Sequence, residues 1–163
     1  GEPRYVTFGL SSLGRLLAQA LAFIHGKGII HGSIQPSNVM VAAGVVKIAD
    51  MGLGRIAFPF APANNYRAPE NQLDAAGDLY AMAAILYHML AGIPAFEGEN
   101  TQEVTRRAQK DSPPALRRIN LKVSPALAQV VESAIDRRPA MRPQSIVAFL
   151  AALKKAAVPP APK

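Results

Sequence analysis

The chain contains no cysteine and no tryptophan among its 163 residues. Disulfides and thiolate metal sites are therefore excluded, and thiol usage says nothing about the redox compartment. Long apolar runs are missing as well. A membrane-crossing helix needs about 20 apolar residues, and the best stretch, 81–96, is broken by His88, Gly92 and Pro94. No leader-type segment opens the sequence, Gly1-Glu2-Pro3 reads as a remnant of expression, and a cytoplasmic location is expected. Aromatics make up only 6% of the chain, and residues 101–163 offer Phe149 alone for base stacking. With no recognisable nucleic-acid module, specific nucleic-acid binding is not expected. One absence is local: between Asp50 and Glu70 there is no Ser or Thr, and Tyr66 is the only hydroxyl.

What is present suits one well-buried domain, since half of the residues are hydrophobic. Charge is uneven. Residues 1–100 carry six Lys/Arg against seven Asp/Glu, whereas residues 101–163 carry twelve against four. The basic part reads as solvated helix faces, with an acidic partner as the alternative.

Tyr5 to Phe8 reads as a short strand. Leu13, Leu16, Leu17, Ala20, Leu21 and Ile24 then recur at helical spacing, with Ser11 or Ser12 to cap the start and Gly26 and Gly28 to end the helix. Val39–Val41 and Val45–Ile48 around Ala42-Ala43-Gly44 predict a small hairpin. Residues 53–67, with two prolines and no clear period, predict a loop. Asp78 to Ala91 is apolar almost all round, as in a helix at the centre of a helical domain. Asn100 with Glu103 looks like a capping box, Ser124-Pro125 starts a further helix, and a last one carries Ile146, Phe149, Leu150 and Leu153. Residues 157–163 are Pro/Ala-rich and read as a linker to a further part of a longer protein.

Five motifs fall in order along this frame. His31-Gly32-Ser33-Ile34-Gln35-Pro36-Ser37-Asn38 comes first, then Asp50-Met51-Gly52, Tyr66-Arg67-Ala68-Pro69-Glu70, Gly77-Asp78-Leu79-Tyr80, and last Asp136 through Pro143. Each alone is weak; an Asp before a Gly usually marks a turn. Together they resemble the eukaryotic-like Ser/Thr protein kinase family, over about residues 10 to 155. The pattern H-R-D-L-x-x-x-N becomes His31…Asn38, D-F-G becomes Asp50-Met51-Gly52, and A-P-E ends at Glu70.

The resemblance implies a mainly α fold: a kinase C-lobe-like helical domain with a small β-hairpin and the N-terminal lobe absent. It divides the chain into a residual hinge or strand segment at 1–10, the domain proper at 11–156 and the linker at 157–163. It assigns structural roles to His31, Glu70, Asp78 and Arg142, with Asp78 accepting from the catalytic-loop backbone and Arg142 pairing with Glu70. Asn38 and Asp50 fall on the positions that hold Mg·ATP, either as vestigial ligands or as residues kept for local hydrogen bonding.

The reacting positions depart from the pattern. Ser33 stands where the base Asp belongs, Gly32 replaces the Arg and Gln35 the Lys. A serine hydroxyl is not ionised at neutral pH, and losing a general base costs roughly 10²- to 10⁴-fold in rate. The expectation is a catalytically inactive, pseudokinase-type scaffold that needs no cofactor. The alternatives are a divergent phosphotransferase or a weak Mg·ATP sensor whose other lobe comes from elsewhere. A protein partner or a second copy is expected on the face left bare by the missing lobe. Tyr5 and Val6 would form an open strand edge there, and Phe58 and Phe60 would either pack back on the domain or serve as apolar anchors for the partner.

Overall fold

The structure, a computed structural model, describes residues 3–42, 45–51 and 64–156, with side chains from residue 12 onward. Its elements are α1 (Pro3–Gly26), β1 (Val39–Ala42), β2 (Val45–Ile48), α2 (Ala75–Ala91), α3 (Thr101–Lys110), α4 (Leu116–Ile119), α5 (Pro125–Ala134) and α6 (Ile146–Ala156). Single 3₁₀ turns at Pro36–Asn38 and Pro139–Met141 complete the set. The fold is mainly helical, with one antiparallel hairpin in which Val39 faces Ile48 and Ala42 faces Val45.

Helix α2 lies at the centre because its sequence leaves no polar face. Residues 78–87 are all buried, and the helix packs against α1, α4 and α5. Its ends are fixed by local chemistry. The Asp74 side chain accepts from Gly77 N at 2.7 Å, and Gly92, at φ 77°, turns the chain out through the left-handed region. Helix α1 crosses α2 closely: a Cβ at Gly14 would lie 2.6 Å from Leu86 Cδ2. Leu86 is itself buried, so a methyl group at residue 14 would require a neighbour to shift. Along its other side α1 packs against α6 and β2. Asn100 caps α3 by accepting from Glu103 N, while Glu103 reaches back to Glu99 N, one residue short of a reciprocal box. Ser124 caps α5 through Leu127 N, with Pro125 at the first helical position.

The N-terminal strand is overturned. Residues 5–8 belong to α1, which starts at Pro3, and neither Ser11 nor Ser12 begins a helix. Tyr5, Val6 and Phe8 favour strands only where a neighbouring strand can pair with them. The helix next to them offers one backbone bond per added residue, and Pro3 is already set for a first turn. The boundary expected at residue 10 accordingly falls inside a continuous helix. The linker assigned to 157–163 lies outside the described residues.

Candidate functional site

The loop between α1 and β1 hangs on one buried carboxylate. Asp78, in the first turn of α2, accepts the His31 backbone N–H at 2.8 Å, the Gly32 N–H at 2.8 Å and His25 Nε2 at 2.9 Å. These three donors offset the cost of burying the charge. Gly32 takes φ 74°, the left-handed backbone that lets two successive N–H groups converge on Asp78.

His31 carries the support onward. Its ring is fully buried; the Ser33 N–H donates to Nδ1 at 3.2 Å, so Nε2–H is the donor to the Ala49 carbonyl at 2.8 Å. Asn38 is buried too. Its amide donates to the Ser33 carbonyl at 2.8 Å, and its own carbonyl accepts Ala49 N–H at 2.8 Å. That last bond extends the hairpin register by one step and places Asn38 beside the residue that precedes Asp50. Asp50 is exposed, at φ 62°, a conformation that a short polar side chain tolerates better than most. The loop and the hairpin thus set Asn38 opposite Ala49, with Asp50 the next residue along, at one end of the sheet. Two hard oxygens suit Mg²⁺, and a phosphate chain would have to supply the rest of its shell. Among the described residues no group of three His, Cys, Asp or Glu side chains could hold a metal ion alone.

Ser33 and Gln35 are half-buried on the same loop, and Gln35 Oε1 accepts from Asn64 Nδ2 at 3.3 Å. The segment that follows Asn64 is pinned at several points. The Tyr66 hydroxyl bonds His88 Nδ1 at 2.8 Å, with the two rings stacked at 6.1 Å, and burial raises the Tyr66 phenol above its ordinary pKa. Arg142, 3% exposed, forks onto Glu70 through Nη1 at 2.6 Å and Nη2 at 2.8 Å. Its Nε donates to the Asp136 carbonyl, and its guanidinium lies 4.8 Å from the centre of the Tyr80 ring. Burial above all raises the Tyr80 phenol pKa, with Arg142 opposing and Glu70 assisting.

Of the residues named as interaction sites, Phe58 and Phe60 lie outside the described residues. Tyr5 and Val6 stand on a helix and not on an open strand edge, and their side chains are not among those described. Three participants escaped the sequence reading: His25, Asn64 and His88. His88 had shown itself only as a polar break in an apolar stretch, and His25 and Asn64 carried no local signal.

The fold is shared with the crystal structure of Rad53 1-466 in complex with AMP-PNP, at a TM-score of 0.72 and 23% identity, over 86% of this chain and 38% of that one. The class is therefore that of a protein-kinase fold, here a mainly helical fragment of it. The Protein kinase domain pattern matches residues 9–153, and the chain belongs to that family. It is 31% identical to Serine/threonine-protein kinase pkn3 of Myxococcus xanthus, across 86% of this chain and 30% of that protein. It is 33% identical to the DNA damage-responsive serine/threonine-protein kinase RqkA of Deinococcus radiodurans, across 78% of this chain and 21% of that protein. The chain spans less than a third of the length of these curated relatives.

These relatives are named as kinases, and that corrects the expectation that the chain is catalytically inactive and not an enzyme. The physical reason lies in the reaction. Phosphoryl transfer is driven mainly by positioning and charge neutralisation, so the departures at Gly32, Ser33 and Gln35 do not by themselves define a non-enzyme. No helix among the described residues is long and apolar enough to cross a membrane.

Proposed function

We propose that this chain is the helical lobe of a divergent Ser/Thr protein phosphotransferase, completed by a second lobe supplied elsewhere. The observation that carries the reading is the register that sets Asn38 opposite Ala49, the residue before Asp50, through the Ala49 N–H bond to the Asn38 backbone carbonyl and the His31 bond to the Ala49 carbonyl. Bound Mg·ATP would supply the phosphoryl group and the charge that neutralises it. Asn38 and Asp50 would hold the metal by their side-chain oxygens. Ser33 would orient the acceptor hydroxyl by hydrogen bonding and would not remove its proton. Gln35 would offer neutral N–H donors in place of a cation. Calorimetry with Mg·ATP and transfer of labelled γ-phosphate to a protein acceptor test this, using the chain within its full-length protein. Mg²⁺-dependent binding and transfer are expected, both lost in Asp50→Ala; the absence of both overturns the reading.

A second role is favoured by the hairpin. Met40 and Val45 share one face of the hairpin at 52% and 54% exposed, and Met51, just past β2, is 54% exposed, which leaves apolar surface next to the site. Exposed patches of this kind usually meet another protein surface. That surface would be the completing lobe or a second copy of this chain.

A further inference from the structure

The stretch from Asn64 to Asn71 is held by four separate parts of the molecule. Asn64 Nδ2 donates to Gln35 Oε1 on the 31–38 loop at 3.3 Å, while Asn64 Oδ1 accepts Tyr66 N–H at 2.9 Å. Tyr66 bonds and stacks on His88 of α2. Gln109 of α3 donates to the Pro69 carbonyl at 3.2 Å, and Arg142 holds Glu70. Within the stretch, Arg67 N–H bonds the Asn64 carbonyl and Asn71 N–H the Ala68 carbonyl. Three of the four anchors are uncharged. The sequence offers no Ser or Thr from 51 to 69 to carry a phosphate, and Gly32 supplies no cation to receive one.

We propose that this stretch is assembled in the unmodified chain, and that Asn64 is the positioning residue that locks it onto the loop bearing Ser33 and Gln35. A single planar amide does both jobs. Its nitrogen reaches the loop and its oxygen fixes the turn into Tyr66, so the acceptor side and the loop share one geometry without any added charge. Neutral bonds of this kind are not screened by salt, unlike a phosphate answered by a cation. The inference rests on the reading of this surface as the acceptor side of a phosphotransfer site, but its geometry can be tested apart from that reading.

The experiment is amide hydrogen exchange on the unmodified 163-residue chain. The Tyr66, Arg67 and Asn71 amides are expected to be protected, equally at low and high salt and before and after phosphatase treatment. Asn64→Ala should speed exchange at Tyr66 about tenfold, the loss of roughly one hydrogen bond, while α2 and α5 keep their protection. Asn64→Asp keeps the acceptor for Tyr66 and removes the donor to Gln35. It should leave Tyr66 protected and abolish the energetic coupling between positions 35 and 64 in a double-mutant cycle with Gln35→Ala. Unprotected amides in the unmodified chain, or protection that appears only on phosphorylation, would overturn the inference whatever the phosphotransfer assay shows. A protected stretch without phosphotransfer would instead count against the proposed function alone.

Discussion

Arg142 and Glu70, 72 residues apart, meet in a two-pronged ion pair at 2.6 and 2.8 Å. The pair ties the turn after α5 to the stretch that precedes α2, so these two loops move as one piece. Both guanidinium prongs are satisfied, and the Tyr80 ring covers one face.

Removing one member of this pair should be costly. Arg142→Ala strands the Glu70 carboxylate in a place where its side chain is only 14% exposed. A loss of about 3 kcal/mol is expected, the lower end of the range for a broken buried pair, because some water can reach Glu70. Urea denaturation measures it; an unchanged midpoint would show that the pair contributes nothing.

Asp78→Asn tests the anchoring of the loop. The carboxylate accepts from three N–H groups, and an amide offers one oxygen and a misplaced NH₂. A destabilisation of about 3 kcal/mol is expected, together with faster exchange of the His31 and Gly32 amides. Exchange unchanged at those two sites would mean that the loop is held by something else.

Alkaline pH should weaken the fold through Tyr87. Its hydroxyl is buried and donates to the Pro114 carbonyl at 2.6 Å; burial first, then the Glu132 charge, pushes its pKa up to about 12 from an ordinary 10.0. The folded state thus keeps a proton that the unfolded chain releases. The stabilisation is complete below pH 10 and is lost as the pH rises towards 12, by about 2 kcal/mol from this residue. Tyr87→Phe should make the decline between those values shallower, as read from denaturation at fixed temperature.

Ser33→Asp is expected to raise the rate of phosphoryl transfer by about 10²-fold or more, the contribution of a general base. Initial rates with saturating Mg·ATP measure it. A rate that does not change would show that Ser33 does not face the acceptor hydroxyl.

The hairpin face gives a prediction about association. Met40→Lys or Val45→Lys on that exposed surface should reduce self-association or lobe docking, as followed by light scattering, without lowering thermal stability. Equal association in the variants and the parent chain would place the contact elsewhere.

Much of the fold could be read from local pattern. The all-apolar stretch that became α2 and the two Val-rich runs of the hairpin announce themselves over a few residues. The Glu70–Arg142 pair could be expected only from the order of motifs, since no spacing rule reaches that far. Tyr5 to Phe8 misled because strand preference depends on a partner strand, and α1 was the structure next in line. Helix α4 was missed because its four residues are too short for a period; its first N–H, at Leu116, is capped by Glu132 of α5, 16 residues on. The same holds for His25, Asn64 and His88, whose roles are set by partners far along the chain.

The tight crossing at Gly14 has a consequence at a distance. Residue 14 lies eleven positions before His25 on the same helix, about 16 Å along its axis. A methyl group at position 14 would force either the Leu86 side chain or the helix to shift, and any shift of the helix would carry along it to His25 and its bond to Asp78. A glycine at residue 14 therefore lets α1 lie against α2 with the imidazole that steadies the loop already in reach.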